Sequence, residues 1–209
     1  METKDRRTAQ IAPDGAKLRE DAERYCARAM QLGATDAKVI RTEDVIIDER
    51  ARAKCHFPTC SHYNTNLNCP PYTPAVDEVR TLLSRYRYAV LFKIDVASGS
   101  LEDFNRASRS VIMNAVWKLE SEAFYDGHYL AVGFGGVGCK DIFCPTQECQ
   151  ALTGKGCRHP FKARPNMHAM AIDVFATAAR AGWTLYPVGT SCDLATIPSL
   201  SSIGILLID

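Results

Sequence analysis

Seven of the nine cysteines of this chain fall into two short arrays, and this pattern constrains the structure more than any other feature of the sequence. The first array is a C-x4-C-x8-C run that comprises Cys55, Cys60 and Cys69. The second array is a C-x4-C-x4-C-x7-C run that comprises Cys139, Cys144, Cys149 and Cys157. Around the second array, residues 135–164 are dense in glycine, proline and cysteine without a regular period. We therefore expect an ordered loop that is held in place by ligands rather than by a core.

The sequence predicts a cytoplasmic protein whose thiols stay reduced. The first 13 residues are polar and charged and lack the apolar segment of a secretory signal, and no stretch supplies the roughly 20 apolar residues that span a membrane. Thiol buffers of the cytosol oppose disulfides, and an odd number of cysteines fits a fully paired scaffold badly. Metal binding or redox chemistry is therefore the leading explanation of the cysteines.

One or two iron-sulfur clusters of the 4Fe-4S type are the cofactor that we expect at these seven cysteines. A cluster needs soft anionic donors, which thiolates on a flexible loop supply without regular backbone. A proline follows both Cys69 and Cys144 directly, as in bacterial ferredoxin motifs. Zinc stays open as the alternative, although structural zinc sites usually present two close cysteine pairs with a spacer between them.

The first array has three cysteines where a cluster needs four ligands. Either a distant residue completes the set, with Cys26, Cys192, His56 and His62 as candidates, or one iron stays open to solvent or substrate. The two arrays can also share ligands in one larger site. We interpret Cys26 as a small hydrophobe on the apolar side of a helix and Cys192 as a bystander in a polar loop.

Alternating helical and strand patterns predict a layered α/β fold with a mixed sheet and helices, plus two cysteine-rich metal-binding loops. We expect a flexible tail at residues 1–13 and a single metal-binding domain at residues 14–209. Helices are predicted at 14–32, 73–86, 100–127 and 165–181, and strands at 37–47, 88–96, 129–134, 183–186 and 203–208. The predicted N-caps are Asp14, Thr73 and Ser100, and the predicted helix stops are Gly33, Gly127 and Gly182.

Basic and glycine residues flank the second array. Four basic residues follow Cys157 closely: Arg158, His159, Lys162 and Arg164. They can stabilise a reduced cluster or bind an anionic partner, or they can simply form a solvated basic loop. The glycines of residues 133–138 follow a predicted strand, but a dinucleotide site needs a helix directly after them, so we expect them to let the backbone approach the metal. His168 and Asp173 can also point at the second array.

Two classes of function are disfavoured by composition and motifs. Lys+Arg 25 against Asp+Glu 24 gives a formal net charge of +1, so we expect no nucleic-acid partner and no electrostatic attachment to an anionic membrane, and the lack of a long apolar stretch predicts no membrane span. No serine-histidine-acid constellation or phosphate-binding loop can be placed, which argues against a hydrolase or a nucleotide-binding enzyme.

The motif C-P-P-Y-T-P that begins at Cys69 and the motif C-R-H-P that begins at Cys157 resemble a bacterial and archaeal family described as predicted metal-binding proteins, a domain of unknown function. The resemblance extends from about Cys55 to Asp209. It implies metal binding through the cysteines and brings no agreed reaction. Members of the family more often have C-x2-C-x2-C spacing in the second array, and tend to have glycine at the position of Ala171.

Three functions are compatible with these patterns. The one that we favour is electron transfer, or service as a redox accessory to a partner enzyme. The second is an iron-sulfur enzyme that uses an open iron at the three-cysteine cluster to reduce or dehydrate a small substrate. The third is a zinc-stabilised structural module. The expected partner is accordingly a redox protein or a small-molecule substrate, and the sequence decides neither between carrier and enzyme nor the oligomeric state.

Overall fold

The computed structural model describes residues 8–9, 14–97, 101–188 and 192–209, which contain a four-stranded sheet. The strands are Asp36–Arg41 (β1), Tyr88–Ala97 (β2), Val132–Phe134 (β3) and Ser199–Ile208 (β4), in the order β1-β2-β4-β3. The predicted layered α/β fold is confirmed. The sheet, however, is antiparallel rather than mixed, because β4 lies between β2 and β3 and runs opposite to both. The predicted tail falls almost entirely outside the described residues.

The two central strands are buried on both faces, which explains the unbroken apolar run at the end of the sequence. Ile203, Ile205 and Leu207 contribute to one core, and Leu206 and Ile208 contribute to the other. Alternate side chains of a strand point to opposite faces of a sheet, so a strand covered on both sides must be apolar at every position.

One face of the sheet is covered by helix Gly15–Gln31 (α1) and by a long helical stretch. That stretch comprises Leu101–Ala107 (α4), a π-helical turn at Ser108–Ile112 and Met113–Tyr125 (α5). The predicted helices 14–32 and 100–127 are therefore confirmed, and Gly33 and Gly127 take the positive φ angles expected of helix stops. Asp14 makes no side-chain capping hydrogen bond, and the predicted cap Ser100 lies outside the described residues.

Helix Val76–Leu83 (α3) contributes to the core on the other face, and its start corrects the predicted cap. Ala75 precedes the helix, and its backbone N–H donates to the Glu78 carboxylate at 2.7 Å. Thr73 does not cap, because its hydroxyl donates instead to the carbonyl of Ala169 at 2.9 Å.

The helix predicted at 165–181 is shorter in the structure. Residues His168–Met170 form a single 3-10 turn, and Ala171 then adopts a left-handed conformation with φ of 56°, which interrupts the helix. The Asp173 carboxylate accepts from the backbone N–H of Ala176 at 3.0 Å, so α7 begins at Val174 and extends to Arg180.

Three predicted strands also need correction. The strand at 37–47 ends at Arg41, and Ile47 forms only a single bridge with Ile172. The strand at 129–134 is limited to β3. Residues 183–186 form no strand; the apolar signal there comes from Trp183, whose side chain packs in the core and donates from Nε1 to Asp36 at 2.7 Å.

The cysteine segments lie outside the sheet. The first array follows helix Glu49–Ala53 (α2) and consists of turns. The segment of the second array is more regular than expected, since it contains helix Cys139–Phe143 (α6) and a 3-10 turn at Gln150–Thr153. In the part of the chain that the structure describes, no helix combines the length and apolar character needed to cross a membrane.

Gly204 in β4 is expected to be intolerant of a side chain. A Cβ at this position would lie 2.7 Å from ring carbons of Phe92 on the neighbouring strand. Gly204→Ala should lower the free energy of unfolding by about 1–3 kcal/mol, measured by denaturant titration. The control is Gly15→Ala, whose Cβ would meet only the end of Arg87 at 3.8 Å and which should leave stability unchanged or raise it by up to about 1 kcal/mol, because alanine is favoured over glycine in a helix. Equal stability of the two variants would contradict this packing.

Candidate metal centre

The four cysteines of the second array line one cavity of about 260 Å³. Cys139 is the first residue of α6 and Cys144 directly follows that helix, while Cys149 precedes the 3-10 turn Gln150–Thr153. Cys139 is buried, Cys144 and Cys149 are half-buried, and Cys157 is exposed. The thiols therefore extend from the interior to the surface around a common space.

Two asparagines of the chain segment that contains the first array form part of the wall of the same cavity. Asn66 and Asn68 both line it, and the side-chain amide of Asn68 donates to the Cys139 sulfur at 3.3 Å. The Cys139 thiol donates to Asn66 Oδ1 at 3.8 Å. Asn66 is only 2% exposed, and its backbone carbonyl accepts from the backbone N–H of Cys69 at 3.2 Å. Asn66 thus connects a cysteine of each array.

The first array is itself compact, although its cysteines are not part of the cavity lining. The backbone N–H of Cys60 donates to the carbonyl of Cys55 at 3.0 Å, and that of Cys69 donates to Asn66 at 3.2 Å. Cys55 and Cys60 are half-buried and Cys69 is buried. Across residues 8–9, 14–97, 101–188 and 192–209, no three His, Cys, Asp or Glu side chains have the spacing that holds a single metal ion.

Burial is the main influence on the inner thiols. It raises the pKa of Cys69 to about 11, against a smaller lowering by the hydrogen bond with Asn66. Burial also raises the pKa of Cys139, and the hydrogen bond from Asn68 opposes it. Neighbouring cysteines raise both pKa values further, since like charges repel. Metal binding at these sulfurs must therefore release protons.

The basic residues after Cys157 separate into two groups. Arg158 and His159 line the cavity together with Lys140, and the His159 ring stacks on Phe143 at 5.3 Å. Lys162 instead lies over the Trp117 ring at 5.0 Å. The predicted basic cluster therefore faces the cysteines only in part.

Arg164 anchors the end of the second array to the folded core. Its Nε lies 2.9 and 2.8 Å from the two carboxylate oxygens of Glu120 on α5, and a second guanidinium nitrogen also contacts this carboxylate. Glu120 in turn accepts from the backbone N–H of Gly133 at 2.8 Å. A forked pair of this kind restricts the position of the loop end.

Candidates for a fourth ligand of the first array occupy different environments. Cys26 is a residue of α1 and packs against the core, and this burial raises the pKa of its thiol to about 12. Cys192 is half-buried and directly follows residues outside the described range. His56 is exposed and contacts Tyr63 edge-on. His62 Nε2 lies 2.8 Å from the Asp141 carboxylate of α6, and its Nδ1 is buried with no hydrogen-bond partner among the described residues.

The glycine-rich segment packs in part against the core. A Cβ on Gly135 would lie 2.1 Å from the Met113 sulfur, and one on Gly136 would lie 2.8 Å from the Ile203 carbonyl. A Cβ on Gly138, directly before Cys139, would instead meet nothing within 4 Å, so the expectation that these glycines let the backbone approach the metal stays a prediction. His168 and Asp173 do not line the cysteine cavity. The Asp173 carboxylate caps α7 instead.

Comparison with known proteins identifies one family. A family model described as predicted metal-binding protein (DUF2284) matches residues 38–208. The chain belongs to this family. The match includes both cysteine arrays and all four strands except the first two residues of β1. No curated protein and no solved structure matches the chain.

Sequence reasoning missed three polar residues that shape the centre of this DUF2284 protein. Asn66 and Asn68 contact the sulfur of Cys139, and Asp141 holds His62. The one available signal was the Asn-x-Asn motif directly before Cys69, because amide side chains donate to sulfur without adding charge. Their partners are some 70 positions away in sequence, and no local pattern indicates such a contact.

Alkylation should follow the burial of the thiols in metal-free DUF2284 protein. Near neutral pH, a pKa raised by two units leaves about 100-fold less thiolate, so Cys69 should react with iodoacetamide about that much more slowly in the folded protein than in the unfolded protein, and more slowly than exposed Cys157. Its rate should increase as the pH is raised toward about 11. Timed alkylation with peptide mass spectrometry measures both rates, and protein unfolded in guanidinium is the control. Equal rates in the folded protein would contradict the geometry.

Proposed function

We propose that this DUF2284 protein binds an iron-sulfur cluster through its second array and acts in electron transfer or as a redox accessory to a partner enzyme. The ligands would be Cys139, Cys144, Cys149 and Cys157. The observation that supports the proposal most directly is that all four thiols line one cavity. When bound, a cluster of this type accepts and returns one electron.

The size of the cavity favours a group of several atoms over a single ion. A structural zinc ion holds four sulfurs about 2.3 Å from one point and needs no further space. The cavity around the second array measures about 260 Å³, and its wall is mainly apolar. Soft thiolate donors around a space of this size suit a cluster of iron and sulfide.

Hydrogen bonds and cations at the cavity support a group whose negative charge increases on reduction. The Cys157 sulfur accepts from the backbone N–H of His159 at 3.3 Å, and the Cys139 sulfur accepts from Asn68. Lys140 and Arg158 add positive side chains to the lining. Donors and cations beside ligating sulfurs stabilise the reduced state, which tunes the potential of a cluster.

The exposed edge of the centre supports exchange of electrons with another protein. Cys157 and Arg158 are exposed, and the nearby Phe161 is 82% exposed. A ligating sulfur at the surface shortens the distance that an electron must cross to a docked partner. A cation and an aromatic ring beside it suit a partner with an acidic surface.

Metal analysis tests the proposal. Protein purified without oxygen should contain about four irons and four sulfides per chain if the second array alone is filled, and about eight of each if both arrays are filled. Electron paramagnetic resonance after reduction should show the cluster. Zinc in place of iron would overturn the redox assignment and favour the zinc-stabilised structural module, whereas no metal after reconstitution would overturn both.

Cysteine variants assign the ligands. Cys139→Ser should remove the iron of the second array, about four of the eight irons expected when both arrays are filled, with a matching loss of visible absorption, because serine replaces a soft donor with a hard one. The matched control is Cys26→Ala, since Cys26 is also shielded from solvent but packs against the core beneath α1. The control should retain its iron within about 10% of the wild-type content, whereas equal iron in both variants would exclude the second array as the ligand set.

We propose that the first array also holds metal, with His62 Nδ1 as the fourth ligand beside Cys55, Cys60 and Cys69. A metal-binding histidine usually donates a hydrogen bond to a carboxylate from the N–H of its other ring nitrogen, and the Asp141 carboxylate lies 2.8 Å from Nε2 of His62. The buried Nδ1 has no hydrogen-bond partner among the described residues, a costly arrangement for a polar atom that a metal would relieve.

Substitution of the two histidines tests this ligand. His62→Gln should lower the iron content from about eight to about four per chain and leave the second array loaded. His56→Gln is the control, because His56 lies in the same segment but is exposed. Iron content and paramagnetic resonance distinguish the two. The same loss in both variants would indicate a disturbed loop, and no loss in either would remove His62 from the ligand set.

A further inference from the structure

A second cavity, of about 250 Å³, lies between α4, α7 and the beginning of β4. Its walls are largely apolar and include Phe104, Phe175, Leu185 and Leu200. None of its lining residues among those that the structure describes carries a formal charge apart from a titratable imidazole. A space of this composition suits an uncharged organic molecule.

Five polar side chains contribute to this apolar space: Ser201, whose hydroxyl donates to Asp95 outside the lining, Tyr186, Ser108, Ser202 and His168. The hydroxyls of Ser108 and Ser202 are buried and lie 2.6 Å apart, and the ring of His168 belongs to the same lining. Ser108 is the first residue of the π-helical turn between α4 and α5. Such turns often occur where a helix contributes to a binding site, because the extra residue shifts side chains out of the regular helical pattern.

His168 is suited to recognise a hydroxyl or a carbonyl group. Burial lowers the pKa of its imidazole, and the Asp173 carboxylate opposes this lowering only in part. The ring is therefore neutral at physiological pH and offers one donor and one acceptor nitrogen. Among the described residues, the His168 ring makes no hydrogen bond to another side chain, whereas the hydroxyls of Ser108 and Ser202 hydrogen-bond each other.

We propose that this cavity binds a small, uncharged, mainly apolar molecule that carries one hydroxyl or carbonyl group, with His168 as its polar contact. The inference does not depend on the metal. The two sites are nevertheless neighbours, because Gly135 and Gly136 line this cavity and Cys139 and Lys140, a few residues later, line the cysteine cavity. A bound molecule would thus lie against the segment that leads into α6.

Calorimetric titration of the full-length protein with thymol and with p-cymene tests the proposal. The two probes share one carbon skeleton and differ only by the hydroxyl group of thymol. Thymol should bind saturably at one site per chain. Phe175→Ala should weaken both probes by about threefold to tenfold, because it removes apolar wall. Phe124→Ala is the control, since Phe124 is similarly exposed but lies on α5 outside the cavity.

The hydrogen bond is tested separately. His168→Phe should weaken thymol by about tenfold and leave p-cymene within about threefold, the change expected for loss of one hydrogen bond. His168→Gln keeps a donor and an acceptor and should restore thymol to within about threefold, which also controls for misfolding. No saturable thymol binding by the wild-type protein, or binding unchanged in both Phe175→Ala and His168→Phe, would overturn the proposal. Iron analysis of the same samples decides the metal assignment independently.

Discussion

The pairing of β2 with β4 is the constraint on which the rest of the structure depends. Ten residues of β2 pair with ten of β4, and both strands are covered by a core on each face. A strand from the end of the chain thereby holds together two layers of helices, since each core needs side chains from it. Truncation or misregistration of β4 would expose both cores at once.

The cysteine segments have little apolar core of their own, so polar contacts must hold them in place. The hydroxyl of Thr73 donates to the carbonyl of Ala169, which attaches the end of the first segment to the chain beyond the second. The forked pair of Arg164 with Glu120 attaches the end of the second segment to α5. These contacts hold the ends of both segments in place, so metal binding costs less ordering of the chain than it would in a free loop.

How far the sequence predicted the structure depends on the kind of interaction that decides each element. Apolar periodicity located α1, β2 and the long helical stretch through α5 because burial decides them. Apolar periodicity failed where a single polar group decides where a helix begins. Thr73 does not cap α3 because it hydrogen-bonds a distant carbonyl, and Asp173 caps α7 so that this helix begins later in the sequence than predicted. The fold class and the cysteine arrays were accessible from sequence, whereas the contact of Asn66 with Cys139 depends on tertiary structure alone.

Two isolated bridges explain how arrays so far apart in sequence come to share a wall. Gly135 pairs with Asn166, which closes the second segment into a loop, and Ile47 pairs with Ile172, which joins the chain entering the first segment to the chain leaving the second. Next to this bridge, Ala171 accepts from the backbone N–H of Asp48 at 2.9 Å while its φ is 56°. A left-handed backbone conformation favours glycine, so alanine is a less favourable residue at this turn. This chain therefore keeps the turn that joins its two arrays even with the less favourable residue.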